Sequence, residues 1–246
     1  MARIVVTGGS GKPGGTVIAE LLEAGYTILN LDLMPMTHPA VHTLKTDLTD
    51  SGQVFNALAG QWSLREPFPE GLPPRPDAVI HLAGYARNML VPDNEAYRAN
   101  TQGTYNIIDV ACKMGVPKVI LASSTAVYGV SFAQGDVNYP SFPIDEDQDV
   151  NPTDTYAIAK LCNERVARGF AARYGTSTVC ALVTSSGRTS TTGIPSTGMS
   201  MNRTRGRCTG GRIPMRGIWG GCARRRCGRA GWDFKYSMRP TVRSRI

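Results

Sequence analysis

A tyrosine and a lysine stand four residues apart in the segment Tyr156-Ala157-Ile158-Ala159-Lys160. In a helix, positions four apart lie on the same face, so the phenol and the ammonium would be neighbours. A nearby cation favours the phenolate, which allows a tyrosine with an ordinary pKa of about 10 to act as a base near neutral pH. A functionless pair on an exposed helix is the alternative, and other motifs must decide between the two.

A glycine-rich segment near the N-terminus, from Thr7 to Gly14, has the spacing G-x-x-G-x-x-G and lies between a predicted strand and a predicted helix. Gly8 permits a tight turn, Gly11 lets the backbone approach phosphates, and Gly14 allows the helix to pack closely on the strand. The helix N-terminus adds N–H donors and the positive end of a dipole. The segment predicts a pyrophosphate site, with an ordinary turn as the alternative.

An acidic residue, Asp32, ends the second predicted strand, 18 residues after Gly14. A carboxylate there can accept hydrogen bonds from the adenosine ribose and repel a 2′-phosphate, so NAD is favoured over NADP. Lys12 weakens this preference, because a cation in the loop could tolerate an additional phosphate. A Walker A loop is excluded, because Lys12 is followed by Pro13 and not by serine or threonine.

Strand and helix patterns alternate up to about residue 183, as parallel βαβ units require. Residues 1–182 are therefore predicted to form a Rossmann-type α/β domain with a doubly wound parallel sheet that binds NAD. The predicted strands are Ile4–Val6, Thr27–Leu31, Ala78–Leu82, Lys118–Ala122 and Ser177–Leu182, and the predicted helices are Thr16–Ala24, Gln53–Leu58, Tyr97–Met114 and Thr155–Tyr174.

Seven short motifs occur in a fixed order over the first 180 or so residues. They are the Thr7–Gly14 loop, Asp32, Asp47-Leu48, His81-Leu82-Ala83-Gly84, Asn100-Thr101-Gln102-Gly103-Thr104, Ser123-Ser124-Thr125-Ala126-Val127-Tyr128-Gly129, and Tyr156 with Lys160. With these motifs the chain resembles the extended short-chain dehydrogenase/reductase family, which contains NAD-dependent sugar epimerases and dehydratases such as UDP-glucose 4-epimerase.

The resemblance implies roles in cofactor binding for several residues. Asp47 and Leu48 would flank the adenine, and Ala83 with Gly84 would line the groove for the pyrophosphate. Asn100 would have a structural role and tie a helix to the sheet. A homodimer through the two long helices is also implied.

The resemblance further implies a catalytic group at Ser124, Tyr156 and Lys160. Ser124 would be the hydroxyl partner of the reacting group, with Thr125 as a weaker alternative. Tyr156 would be the general acid and base, and Lys160 would lower its pKa and bind the nicotinamide ribose. The implied activity is hydride transfer between NAD and a sugar or nucleotide-sugar, by an epimerase, a dehydratase or a dehydrogenase. A non-catalytic NAD-binding module or interaction protein is the alternative.

The C-terminal segment differs in composition from the rest of the chain. The net charge is +8, but residues 1–182 contribute −5 and residues 183–246 contribute +13, with Arg and Gly prominent. The resemblance ends at Leu182, so we expect the substrate-binding half to be missing and turnover to be impaired. We favour a shifted reading frame or a mis-joined exon as the origin of this irregular tail. A disordered basic arm that binds nucleic acid is the alternative.

Other features of the sequence place limits on function. No apolar run is long enough to cross a membrane and no secretory signal is recognisable, so we expect a cytoplasmic protein without a membrane partner. The six cysteines lack the short spacings of a zinc site or a disulfide framework, which predicts free thiols. His38, His42 and His81 are too dispersed for a metal site, and we expect structural roles for them.

Overall fold

The computed structural model describes residues 2–60, 75–129, 131–135 and 150–174, and the backbone of residues 178–183. The predicted irregular tail lies outside these residues, apart from the backbone of Val183. One compact unit contains residues 1–137 and 150–184 and therefore holds everything described here.

A parallel sheet of six strands forms the centre of the described chain. The strands are β1 (Arg3–Thr7), β2 (Thr27–Asp32), β3 (His42–Lys45), β4 (Ala78–His81), β5 (Lys118–Ser123) and β6 (Thr178–Val183). Their order across the sheet is β3-β2-β1-β4-β5-β6. The direction of winding reverses between β1 and β4, which is where ligands bind in such sheets. The predicted doubly wound sheet is confirmed.

Four helices and one short 3-10 helix connect these strands. They are α1 (Lys12–Glu23), α2 (Ser51–Ala59), α3 (Asp93–Lys113), α4 (Thr155–Tyr174) and the 3-10 turn Thr125–Tyr128. The predicted bounds of α4 are correct. The predicted starts of α1 and α3 were each four residues late, because their first turns are polar or contain proline and show no apolar periodicity. Strand β3 was not predicted, since it is short and mostly exposed.

The main hydrophobic cluster joins the sheet to three of its helices. Val5, Leu29 and Val79 come from adjacent strands, and Ile107 and Ile108 come from α3; all five are fully buried. Each such side chain contributes about 1.5–3 kcal/mol when it is removed from water. This burial holds the strands in register, so their carboxyl ends meet at one edge. No helix in the described part of the chain combines the length and hydropathy needed to cross a membrane.

His81 at the end of β4 is buried between two threonines. Its Nδ1 lies 2.7 Å from Thr7 Oγ1 and its Nε2 lies 2.9 Å from Thr104 Oγ1. Burial lowers the pKa of His81 to about 3, and the positive charge of Lys160 acts in the same direction. The imidazole is therefore neutral at physiological pH and links β1, β4 and α3, a structural role of the kind that the sequence predicts.

Protonation of His81 should make folding dependent on pH. Histidine in the unfolded chain has a pKa near 6.5, so between pH 6.5 and about 3 the unfolded state binds more protons than the folded state. This group should lower the free energy of unfolding as pH falls through that window, by up to about 1.4 kcal/mol per pH unit. Urea denaturation at pH 7 and pH 5 gives the free energy of unfolding at each pH. The difference between the two values should be smaller in His81→Gln than in the wild type, and it should be unchanged in His42→Gln, a control at an exposed site. Equal pH dependence in the wild type and His81→Gln would refute this assignment.

Candidate functional site

The loop after β1 makes a close backbone contact with the segment after β4. Gly8 has a φ of +72°, and a Cβ added there would lie 2.6 Å from both the Cα and the N of Ala83. A Cβ on Gly14 would collide with the carbonyl oxygen of Gly8. The predicted tight turn at Gly8 and close helix packing at Gly14 are both present. At Gly11, in contrast, the nearest atom would be 3.4 Å away, so its backbone can be approached by a ligand.

The N-terminus of α1 is available to an anion. Gly11 is the N-cap and makes no side-chain capping hydrogen bond, and Pro13 lies in the first turn, where its missing N–H costs little. The amide groups of this turn can therefore donate to a phosphate oxygen. The exposed Lys12 lies at the first position of the helix.

A buried asparagine that the sequence analysis missed holds this loop in place. Asn30 in β2 is fully buried, and its Oδ1 accepts a hydrogen bond of 2.9 Å from the backbone N–H of Gly9. Its Nδ2 donates to Ser10 Oγ and to Thr43 Oγ1, each at 3.1 Å. The available signal was a single amide side chain inside an otherwise apolar strand segment, because buried polar groups are rare unless they are hydrogen-bonded.

Asp32 lies at the end of β2, beside the same loop. Its Oδ2 accepts a hydrogen bond from the N–H of Ser10 at 3.0 Å, and its Oδ1 accepts one from the N–H of Met34 at 3.1 Å. A carboxylate has about four acceptor positions, so each oxygen can still accept another hydrogen bond. The partly exposed carboxylate is therefore oriented and can still bind a hydroxyl donor.

Asp47 and Leu48 lie between β3 and α2. Asp47 Oδ1 accepts hydrogen bonds from the N–H and the Oγ1 of Thr49, at 2.9 and 2.8 Å. Leu48 packs against the core, and its carbonyl accepts a hydrogen bond of 2.9 Å from Asn106 Nδ2. A Cβ on Gly103 would lie 3.3 Å from the Leu48 Cβ, so α3 packs closely here.

The segment after β4 is tied to α3 by an asparagine. Asn100 is buried; its Oδ1 accepts from the N–H of Tyr85 at 2.8 Å and its Nδ2 donates to the Tyr85 carbonyl at 3.0 Å. Gly84 has a φ of +138°, and a Cβ there would lie 2.7 Å from Asn100 Oδ1. The N–H of Ala83 donates to Thr7 Oγ1 at 3.3 Å. Asn100 thus has the structural role that the resemblance implies.

Ser124 and Tyr156 meet where β5 ends and α4 begins. Both are buried, and the Ser124 hydroxyl acts on the phenol in the direction that lowers its pKa. Ser124 Oγ also accepts from the N–H of Ala126 at 3.1 Å, which caps the 3-10 turn. The ring of Phe132 packs edge-on against Tyr156, with centroids 6.1 Å apart. Thr125, the weaker alternative, is exposed, so Ser124 is the hydroxyl next to Tyr156.

Lys160 lies one helical turn after Tyr156. Its Nζ donates to the carbonyl of Ala122 at 2.8 Å and is 5.8 Å from the centroid of the Tyr156 ring. Burial lowers the pKa of Lys160 to about 8, while the negative charge of Glu164 opposes this change. Glu164 Oε1 accepts a hydrogen bond of 2.5 Å from Ser123 Oγ, so two adjacent residues of β5 hold this face of α4.

The pKa of Tyr156 depends on its burial and on two neighbouring side chains. Burial raises the pKa of Tyr156, and the charge of Asp154 raises it further, while the hydrogen bond with Ser124 acts in the opposite direction. Lys160 is not among these causes, so its lowering of the Tyr156 pKa stays a prediction. The spacing of two residues cannot reveal that the phenol is desolvated. At neutral pH the phenol holds its proton.

Within the described ranges, no group of three or more His, Cys, Asp or Glu side chains is arranged to hold a metal ion. Cys162 on α4 is a free thiol, as predicted.

Comparison with curated proteins identifies related enzymes. A UDP-glucose 4-epimerase from Azospirillum brasilense is 28% identical over 178 residues, which are 70% of this chain and 46% of that protein. A UDP-glucose 4-epimerase from Bacillus subtilis is 30% identical over 170 residues, which are 67% of this chain and 47% of that protein. The chain thus spans about half the length of the curated relatives it matches.

Solved structures show the same fold. UDP-glucose 4-epimerase from Brucella ovis in complex with NAD superposes with a TM-score of 0.60 at 26% identity, over 74% of this chain and 51% of that one. A short-chain dehydrogenase/reductase superfamily protein from Agrobacterium tumefaciens with bound NAD gives a TM-score of 0.58 at 25% identity, over 74% and 48% of the two chains.

A family model also matches the chain, over residues 4–234. This match runs past Leu182, where the motif-based resemblance ends, so the predicted domain boundary at residue 182 stays a prediction. Three observations indicate the same family: the family model matches residues 4–234, the motifs occur in the family's order, and the sheet has six parallel strands. The chain belongs to the NAD dependent epimerase/dehydratase family, within the extended short-chain dehydrogenases/reductases.

Proposed function

We propose that the chain binds NAD across the carboxyl edge of its sheet. The pyrophosphate would lie on the amides that follow Thr7 and in the groove beside Ala83 and Gly84. The uncapped N-terminus of α1 and the open space at Gly11 support this placement. Asp32 would accept hydrogen bonds from the adenosine ribose, because its carboxylate is oriented by two backbone donors. Asp47 and Leu48 would flank the adenine, and Lys12 would lie near the phosphates.

The proposed reaction is hydride transfer on a sugar or nucleotide-sugar. NAD supplies the hydride acceptor when it is bound, and this chain's residues handle the proton. The observation that carries the proposal is that the buried hydroxyls of Ser124 and Tyr156 come together where β5 ends and α4 begins, with Lys160 one turn away. Ser124 would orient the reacting oxygen, Tyr156 would give or take its proton, and Lys160 would bind the nicotinamide ribose.

Because the pKa of Tyr156 is raised, the chain without bound ligands favours proton donation by the phenol over proton removal. A protonated phenol can donate to a developing alkoxide but needs help to remove a proton. Lys160 is the available cation, and its charge would favour the phenolate once its ammonium is fully protonated, below its pKa of about 8. Turnover would therefore depend on the protonation states of both groups.

The relatives support the proposed substrate class. Several curated proteins similar to this chain are UDP-glucose 4-epimerases. A sugar or nucleotide-sugar is therefore the proposed substrate, with epimerase, dehydratase and dehydrogenase chemistry all open. A homodimer through α3 and α4 and a cytoplasmic location remain predictions.

The first test concerns the cofactor and the buried asparagine. Asn30→Leu should weaken NAD binding about tenfold, because the Gly9 amide loses its acceptor and the loop loses its fixed shape. Asn56→Leu on the exposed face of α2 is the matched control and should bind as the wild type does. Isothermal titration calorimetry of the full chain measures both. If the wild type binds no NAD at millimolar concentration, the proposed cofactor is wrong.

The second test concerns the reaction. In a panel of nucleotide-sugars, Tyr156→Phe should reduce turnover about a hundredfold or more, since positioned acid and base groups contribute at least that much. NAD affinity should stay unchanged, because the ring and its packing remain. Tyr105→Phe, at a partly exposed tyrosine on α3, should have wild-type turnover.

The outcome also separates the two functions considered from the sequence. NAD binding without turnover of any sugar in the wild type would contradict the enzymatic proposal and favour a non-catalytic NAD-binding module. Equal turnover in the wild type and Tyr156→Phe would exclude Tyr156 as the acid and base.

A further inference from the structure

A buried carboxylate at the start of α4 is not used in the mechanism above. Asp154 is 1% exposed, and its Oδ1 accepts a hydrogen bond of 2.9 Å from the N–H of Ala157. Its backbone carbonyl accepts from the N–H of Ile158 at 2.9 Å. Asp154 is therefore the N-cap of the helix whose first turn carries Tyr156.

Asn88 connects this cap to the segment after β4. Its Nδ2 donates to Asp154 Oδ1 at 3.0 Å, and its Oδ1 accepts from the backbone N–H of Tyr156 at 3.0 Å. One amide side chain thus contacts both the capping carboxylate and the backbone of the proposed acid and base. Asn88 is 66 positions from Asp154 and 68 positions from Tyr156 in the chain, so these contacts form only in the folded protein.

Capping alone does not explain the acidic residue. Serine, threonine or asparagine could cap α4 without a charge, and a buried carboxylate is costly unless both oxygens are satisfied. Asp154 Oδ2 has no hydrogen-bond partner within the part of the chain that the structure describes. The charge of Asp154 does, however, raise the pKa of the Tyr156 phenol, in the same direction as burial, which is the larger cause.

We propose that Asp154 and Asn88 are positioning residues for Tyr156: through their hydrogen bonds to the backbone of Tyr156 and Ala157, the pair fixes the first turn of α4 and thereby the place of the phenol. The inference rests on the proposed role of Tyr156 as acid and base. Asp154, at the N-cap of α4, raises the pKa of the phenol, and Lys160 lies on the same helix with its Nζ 5.8 Å from the centroid of the Tyr156 ring. Glu164 raises the pKa of Lys160, and Lys160 lowers that of His81.

The electrostatic part is tested by titrating Tyr156 directly. Full-length protein labelled with 3-fluorotyrosine, whose phenol ionises at lower pH than that of tyrosine, gives a ¹⁹F resonance for Tyr156 that Tyr156→Phe identifies by its loss. Asp154→Asn and Asp154→Ser both keep a cap but remove the charge, so both should shift the apparent pKa of Tyr156 downward. The resonances of the other tyrosines are the internal control and should titrate as in the wild type.

The positional part is tested by hydrogen exchange. Asn88→Ala should speed exchange in the first turn of α4 about tenfold, because the Tyr156 amide loses its acceptor, while peptides from α3 stay unchanged. An unchanged or raised Tyr156 pKa in both Asp154 variants, or unchanged exchange in Asn88→Ala, would overturn the inference. Neither measurement depends on turnover. Failure of the wild type on every sugar would therefore count against the proposed function and not against this pair.

Discussion

The contact between the backbones that follow β1 and β4 is the constraint on which the site depends. Gly8 reaches Ala83 so closely that no side chain fits between them, and Thr7 shares its hydroxyl with His81 and the amide of Ala83. Parallel strands place all their carboxyl ends at one edge, and here the winding reverses. In sheets of this kind, ligands bind outside the strand ends at the point of reversal, and here the glycine loop and the segment after β4 are the two segments that follow the strands at that point.

Two buried asparagines and a partly buried one then fix the loops at this edge of the sheet. Asn30 holds the glycine loop, Asn100 holds the segment after β4, and Asn88 joins that segment to α4. Each makes at least two hydrogen bonds to groups that would otherwise need water. Loops tied in this way keep their shape without ordered secondary structure, which is what a binding surface made of backbone amides requires.

Electrostatics at the proposed catalytic group reflects a balance between burial and charge. Burial raises the pKa of Tyr156 and lowers that of Lys160, so desolvation favours the neutral form of both groups. Neighbouring carboxylates then adjust each one: Asp154 reinforces the protonated phenol, and Glu164 supports the ammonium. The resting state is therefore a neutral phenol beside a lysine whose charge is sensitive to pH near 8.

The sequence by itself determined the fold class, the glycine loop, Asp32 and the helix that carries Tyr156 and Lys160, because these depend on local spacing and on the periodicity of apolar residues. Only the tertiary structure decided which hydroxyl faces the phenol, since Ser124 and Thr125 differ in burial and not in chemistry. It also revealed Asn30, Asn88 and Asp154, whose partners lie far away in the chain. Only the tertiary structure shows that the pKa of Tyr156 is raised, because the main cause is burial. Burial depends on how the chain packs and cannot be inferred from the spacing of two residues.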